Sequence, residues 1–144
     1  MADVPSLGQI NLVVRDMAAT LAFYGRLGWR VETPTPQHAF TELRNGIRVE
    51  FDTVEFAREW DTGYAGATGG SAVLGLFTST RGEVDHLYAD LVSHGGRERQ
   101  PPYDAFWGAR YAIVEDPDGN PVGLMSPTDD SKRFWPPSPH ASAA

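Results

Sequence analysis

The chain has 144 residues, of which 41% are hydrophobic and 22% charged, a composition typical of a compact globular domain. It contains no cysteine, which excludes disulfides, zinc–cysteine sites, iron–sulfur clusters and a thiol nucleophile. Nineteen acidic and twelve basic residues give a net charge of −7, which repels a phosphate backbone, so nucleic acid is not an expected partner. No apolar run approaches the ~20 residues of a membrane span, and residues 1–5 lack the features of a signal peptide. We therefore expect a cytoplasmic protein that does not enter a membrane.

The first half of the chain predicts one helix among four short strands. Asp16 is the predicted N-cap of the helix, and Gly28 is the predicted glycine at its end. Pro34 and Pro36 are expected to break the second strand, and Asn45-Gly46 predicts a hairpin turn between the third and fourth. The predicted strands lie at 8–15, 29–33, 39–43 and 47–53, and the predicted helix lies at 17–27.

The same order of elements recurs after a short predicted helix at 54–60 and a glycine-rich loop at 62–70. Thr80 and Glu83 form a capping signature in front of the clearest helical pattern of the chain. The turn at 116–120 requires a residue with positive φ, which Gly119 supplies. The predicted extended segments lie at 72–79, 97–103, 110–115 and 121–125. The chain thus reads strand–helix–strand–strand–strand, written twice.

Three stretches carry a resemblance to a known family. They are Gln9-Ile-Asn-Leu-Val-Val-Arg-Asp16 with the helix after it, Val84-Asp-His-Leu-Tyr88, and Trp107-Gly-Ala-Arg-Tyr111 leading into the turn at 116–120. In this order they resemble the vicinal oxygen chelate superfamily, the glyoxalase/bleomycin-resistance/dioxygenase group. The resemblance covers residues 7–127.

The resemblance implies an α+β fold of two tandem βαβββ modules whose curved mixed sheets surround a cleft. The modules fall at about 7–60 and 71–127, within a single domain over residues 1–127. It also implies that two chains pair, so we expect a homodimer. Residues 128–144 are rich in Pro, Ser and Ala and predict a mostly irregular tail with Trp135 as its one large anchor.

Enzymatic members of this superfamily hold one divalent metal ion with a residue from each of four strands. Carried over to this chain, the first two positions fall on Gln9 and Glu50. The third falls on Ala72 or Val73 and the fourth on Gly123, which offer no side-chain ligand atom. We therefore expect no catalytic metal, with Gln9 and Glu50 as the ligands if one binds.

Three side chains bear on this expectation. His38 and His86 are the two residues that could complete a metal site from elsewhere. His86 lies at a helix edge and is expected to be solvated, whereas His38 precedes the third strand and could point into the cleft. Glu50, if it is buried without a metal, needs a partner such as Arg48 or Arg110, or must be protonated.

Aromatic residues concentrate at the ends of segments, where a cleft would open. Such a set suits stacking on a flat or hydrophobic ligand, although aromatic residues are also enriched in dimer interfaces. The net negative charge favours an uncharged or cationic ligand. Arg110 favours a carboxylate unless Glu50 neutralises it. The predicted cleft residues are Gln9, His38, Glu50, Trp60, Tyr64, Tyr103, Phe106, Trp107 and Arg110.

Three functions remain open on the sequence. The first is a metal-free small-molecule-binding protein that sequesters a hydrophobic or aromatic ligand. The second is a metal-dependent lyase, isomerase or dioxygenase with an altered ligand set. The third is a structural or regulatory dimer without a small ligand. No G-x-S-x-G or P-loop string occurs, and no catalytic residue is assigned.

Overall fold

The fold is α+β. A computed structural model of the chain describes residues 4–135. The predicted order of strand, helix and three strands occurs twice among these residues. They divide into two units, 4–70 with 117–119 and 71–116 with 120–135. Each unit contains one mixed sheet of four strands. None of the helices formed by residues 4–135 combines the length and apolar character needed to cross a bilayer.

The first unit has its strands in the order β1-β4-β3-β2. β1 and β4 form the parallel pair, in the register that sets Asn11 beside Glu50, and the other neighbours are antiparallel. The elements are β1 (Gln9–Val14), α1 (Met17–Gly25), β2 (Glu32–Thr35), β3 (His38–Glu42), β4 (Arg48–Thr53) and α2 (Val54–Trp60). The predicted N-cap is confirmed, since the Asp16 side chain accepts a hydrogen bond from the backbone N–H of Ala19.

Helix α1 packs on one face of this sheet through aromatic contacts. The ring of Tyr24 lies 5.0 Å from that of Phe51 on β4 and 5.1 Å from that of Trp29. Val49 and Phe51 are buried on this face. Because side chains alternate along a strand, Arg48, Glu50 and Asp52 point to the opposite face. The core therefore leaves the other face of the sheet free for polar groups.

The second unit repeats this arrangement, with strand order β5-β8-β7-β6 and a parallel pair β5–β8. The helix α3 begins at the predicted cap, where the Thr80 hydroxyl accepts from the N–H of Glu83. Val84, Tyr88 and Leu91 form its buried face. The elements are β5 (Leu74–Phe77), α3 (Arg81–Ser93), β6 (Arg97–Asp104), β7 (Arg110–Glu115), β8 (Pro121–Met125) and a 3-10 turn (Asp130–Lys132).

Three local expectations are wrong. The second strand lies at Glu32–Thr35 and not at 29–33. Pro34 does not break the second strand but lies inside β2, and it is exposed. β2 is at one edge of its sheet and pairs only with β3. The N–H that proline lacks is therefore not needed for a hydrogen bond to a second neighbouring strand. Trp135 does not anchor the tail by burial, because 87% of it is exposed. The remainder of the predicted tail, 136–144, lies outside the described residues.

The turn between β7 and β8 generates the first prediction. Its ends are joined by the Asp116 carboxylate, which accepts from the backbone and side-chain nitrogens of Asn120, each at 2.9 Å. Gly119 has φ +86°, a conformation that a β-branched residue resists. We expect Gly119→Val to lower the free energy of unfolding by about 1–3 kcal/mol, measured by thermal denaturation.

Gly75→Val is the matched control. Gly75 lies in strand β5 and a Cβ there would meet no atom within 4 Å, so the same side chain is added without strain. Equal losses of stability in the two variants would show that the turn does not depend on positive φ.

Candidate functional site

The polar face of the first sheet is the candidate site. Arg48, Glu50 and Asp52 alternate along β4 and therefore share one face. The strand register sets them beside residues of β1 and β3. The paired residues are Gln9 with Arg48, Asn11 and Phe40 with Glu50, and His38 with Asp52.

Asp52 is the buried centre of this face, with 1% of its side chain exposed. One carboxylate oxygen lies 2.6 Å from Nδ1 of His38, and the other accepts from Nδ2 of Asn11 at 3.1 Å. An ionised carboxylate can only accept, so Nδ1 of His38 carries the proton. In the neutral ring Nε2 is then an acceptor. Gln9 extends the network by donating to the Asn11 side-chain oxygen at 2.8 Å.

Glu50 takes Arg48 as its partner, the first of the two foreseen. Nε of Arg48 donates to Oε2 of Glu50 at 3.2 Å, and the guanidinium carbon lies 4.0 Å from the ring centre of Phe40. Oε1 of Glu50 lies 3.9 Å from Nε2 of His38. This distance is too long for a hydrogen bond. In the neutral ring that carries its proton on Nδ1, Nε2 and Oε1 are therefore two neighbouring acceptor atoms.

A cavity of about 370 Å³ is lined by polar residues on one side and aromatic residues on the other. The polar residues are Gln9, Asn11, His38, Glu50 and Asp52. Phe56 and Trp60 lie four residues apart on α2 and so share one helix face. The Thr53 hydroxyl caps this helix by accepting from the N–H of Phe56. The Phe56 ring lies 5.6 Å from that of His38, and Trp60 is 48% exposed. The cavity thus combines acceptors with an apolar surface.

The aromatic residues of the second unit form a separate cluster. Trp107 lies 5.1 Å from Phe106, 5.4 Å from Tyr111 and 6.4 Å from Tyr103, measured between ring centres. Its indole N–H faces the Met125 sulfur at 3.3 Å. Burial raises the pKa of both Tyr103 and Tyr111, so their hydroxyls stay protonated at neutral pH.

Arg110 is neutralised within its own unit. Its guanidinium bonds Asp85 at 3.0 Å and Asp104 at 3.3 Å. Burial opposes the charge of Arg110, but the hydrogen bonds and charges of these two carboxylates outweigh burial and raise its pKa. Burial also opposes ionisation of Asp104, and Arg81 and Arg110 together hold the Asp104 pKa below its usual range. Arg110 is therefore not an unpaired cation available to an anionic ligand.

The second half of the family's four-residue metal site does not fit this chain. A Cβ at Gly123 would lie 2.8 Å from the Tyr111 hydroxyl oxygen and 3.2 Å from Cγ1 of Val73. A carboxylate side chain at position 123 therefore requires the Tyr111 hydroxyl and the Val73 methyl group to move away. Val73, at the third position, supplies no ligand atom.

The first unit does contain one cluster of metal-ligand types among residues 4–135. His38, Glu50 and Asp52 each offer an atom, and these atoms lie within 4.8 Å of one another. Both oxygens of Asp52 already accept hydrogen bonds. Nε2 of His38 and Oε1 of Glu50 lie 3.9 Å apart. A metal ion about 2.05 Å from both atoms would have an angle of about 140° between the two bonds, far from the tetrahedral value. The present arrangement holds a metal ion poorly.

A larger depression of about 670 Å³ lies elsewhere in the first unit. Its charged residues are Arg30, Glu32, Glu42 and Arg44, and all four are exposed. It contains solvated charges and lacks the buried acceptors of the smaller cavity, which is therefore the better candidate.

The predicted cleft residues separate into two groups. Gln9, His38, Glu50 and Trp60 line the cavity of the first unit. Tyr64 is not among the lining residues, and its hydroxyl donates to the carbonyl of Ala67. Tyr103, Phe106, Trp107 and Arg110 belong to the second unit.

Sequence reasoning missed three residues that line the cavity, namely Asn11, Asp52 and Phe56. Two signals were available. The alternation of Arg48, Glu50 and Asp52 predicts three charged side chains on one strand face. The spacing of Phe56 and Trp60 predicts one helix face.

Comparisons with known proteins agree with the fold. A family model described as the Glyoxalase/Bleomycin resistance protein/Dioxygenase superfamily matches residues 6–124. The chain is similar to a glyoxalase-related enzyme from Fulvimarina pelagi, with 28% identity and a TM-score of 0.77 over 86% of this chain and 89% of that chain. Comparison with curated proteins gives no match.

Two further solved structures share the fold at lower identity. One is a glyoxalase/bleomycin resistance protein/dioxygenase from Nocardioides, with 24% identity and a TM-score of 0.71 over 94% of this chain and 92% of that chain. The other is lactoylglutathione lyase from Agrobacterium tumefaciens, with 16% identity and a TM-score of 0.63 over 87% of this chain and 96% of that chain.

Proposed function

Because the chain belongs to the glyoxalase/bleomycin resistance protein/dioxygenase superfamily, we propose that it is a small-molecule-binding protein of that superfamily, without a catalytic metal. It sequesters a hydrophobic or aromatic ligand. The observation that carries the proposal is the close packing at Gly123, where Tyr111 and Val73 occupy the space of a ligating side chain. Without a bound ion, the paired-oxygen chemistry of the metal enzymes lacks its electrophile.

The ligand binds in the cavity of the first unit. Its flat or apolar part packs on Phe56 and Trp60, and its polar part meets the acceptors of His38 and Glu50. The pairing of Arg110 with Asp85 and Asp104 removes the strongest argument for an anionic ligand. The ligand is therefore uncharged or cationic.

Tryptophan fluorescence tests this binding. We expect saturable quenching by at least one member of a panel of aromatic antibiotics and aromatic acids. Trp60→Phe should abolish the quenching, because Trp60 lines the cavity. Trp107→Phe is the matched control, since Trp107 lies in the aromatic cluster of the second unit, and it should retain the quenching.

Arg110→Ala should leave the affinity unchanged. Binding that depends on Arg110 alone would overturn the proposed ligand charge. Absence of saturable quenching across the whole panel would contradict small-molecule binding and favour a structural or regulatory dimer.

Elemental analysis and native mass spectrometry test the metal. We expect the purified protein to hold well below one equivalent of zinc, nickel, iron or manganese, because two of the four family positions offer no ligand atom. Near one equivalent of metal that is lost in Glu50→Ala would contradict this.

The second candidate function is a metal-dependent lyase, isomerase or dioxygenase with an altered ligand set. One observation favours it: His38 joins Glu50 and Gln9 around the same cavity. In that function Gln9, His38 and Glu50 would hold one divalent ion, which would supply Lewis-acid polarisation of substrate oxygens. Asp52 would orient the His38 ring through Nδ1.

The proposal includes a homodimer. Large apolar side chains of the second unit are solvent-exposed in the single chain, including Phe77 at 80%. Aromatic side chains of this kind are enriched in protein interfaces. Size-exclusion chromatography with light scattering should give twice the chain mass of 15.8 kDa at micromolar concentration. A monomer would contradict it.

A further inference from the structure

We propose that the cavity of the first unit selects ligands that carry a protonated nitrogen, held between Nε2 of His38 and Oε1 of Glu50. The inference rests on the proposed function and adds the chemical class of the ligand. It depends on three features of the cavity: the distance between the two acceptors, the proton position on His38, and the balance of charge.

The distance between the acceptors fits a bridging N–H group. Nε2 of His38 and Oε1 of Glu50 lie 3.9 Å apart. At a ligand nitrogen about 2.9 Å from both atoms, the directions to the two acceptors form an angle of about 85°. Two N–H bonds of an ammonium group open at the tetrahedral angle, so each hydrogen bond bends by only about 12°, well within tolerance. A metal ion at coordination distance would need about 140° between the same atoms. The spacing therefore favours an ammonium or amidinium donor over a metal.

The proton on His38 is placed so that Nε2 accepts. Asp52, buried and 2.6 Å away, takes the Nδ1–H bond and fixes the ring. Among residues 4–135, no donor reaches Nε2 within hydrogen-bond distance. A ligand that presents two N–H bonds would satisfy both Nε2 and Oε1. A ligand that offers only acceptors would face two lone pairs.

The charges around the cavity leave one negative charge. Glu50 and Asp52 carry one each and Arg48 offsets one of them, so one negative charge remains when the His38 ring carries only its Nδ1 proton. Arg48 bonds Oε2 of Glu50 and leaves Oε1 facing the cavity. A monocation would complete the balance, whereas an anion would be repelled by both carboxylates.

The aromatic side of the cavity supports the same ligand class. Phe56 and Trp60 line it next to the acceptors. Aromatic faces attract a cation that lies within about 6 Å and also cover an apolar ring. An aromatic or hydrophobic amine can therefore use both sides of the cavity at once.

Benzylamine and benzyl alcohol are the probes, because they have nearly the same shape and only the amine is charged at pH 7. Isothermal titration calorimetry on the unaltered protein should give a Kd at least about tenfold lower for benzylamine. Benzoate should bind more weakly than either. This comparison needs no variant and so does not depend on the folding of one.

Glu50→Gln should reduce the preference for benzylamine to less than about threefold, because the charged acceptor is lost. Glu55→Gln is the matched control: it removes the same charge from an exposed position on α2 that does not line the cavity, and it should keep the full preference. An equal loss in both variants would show that only the general negative field acts, and would overturn the bridging arrangement.

Nitrogen-15 NMR provides a second readout. The His38 ring should show the proton on Nδ1, and the Nε2 resonance should shift when benzylamine is added. A proton on Nε2 in the free protein, or no shift with bound amine, would overturn the proposal.

The outcomes separate the two proposals. Equal affinity for the two probes, with binding lost in Trp60→Ala, overturns amine selectivity and leaves the proposed function standing. Absence of binding by both probes at millimolar concentration also overturns the selectivity, and the fluorescence panel then decides the proposed function on its own.

Discussion

The alternation of side chains along β4 is the constraint on which the first unit depends. The odd-numbered residues Val49 and Phe51 pack under α1, where Phe51 meets Tyr24. The even-numbered residues Glu50 and Asp52 form the polar face between β1 and β3. A shift of register by one residue would exchange the two faces. The same hydrogen-bond ladder therefore fixes both the core and the candidate site.

The polar face also contributes to the fold. Burying the Asp52 carboxylate is unfavourable unless hydrogen bonds replace its water, and His38 and Asn11 provide them. Gln9, an exposed residue of the same strand β1, donates a hydrogen bond to the Asn11 side-chain oxygen and so orients it. The buried Asp52 therefore holds the side chains around it in place, and the His38 ring is positioned before any ligand binds. Such preorganisation lowers the entropic cost of binding.

Much of the fold could be predicted from the sequence, because periodicity and capping residues act locally. The helix over 54–60 and the strands over 110–115 and 121–125 agree residue for residue with the structure. The candidate site was less accessible, since it depends on strand register. Glu50 could be placed on its strand, but its choice of Arg48 over Arg110 requires three-dimensional contacts. The sequence predicts a strand break at Pro34, and the structure has this residue inside β2, because the sequence alone does not show which strand lies at an edge of the sheet.

The packing around Gly123 has a consequence for the order in which this protein could be redesigned as a metalloenzyme. A glutamate placed at position 123 first would meet the Tyr111 hydroxyl and the Val73 methyl group, so this step alone is disfavoured. Shortening Tyr111 first would remove its ring contacts with Tyr103 and Trp107, which costs stability before any ligand is gained. Neither single step improves the protein. Conversion therefore needs changes at positions 123, 111 and 73 together. Close packing of these positions disfavours a stepwise change from a metal-free binding site to a metal site.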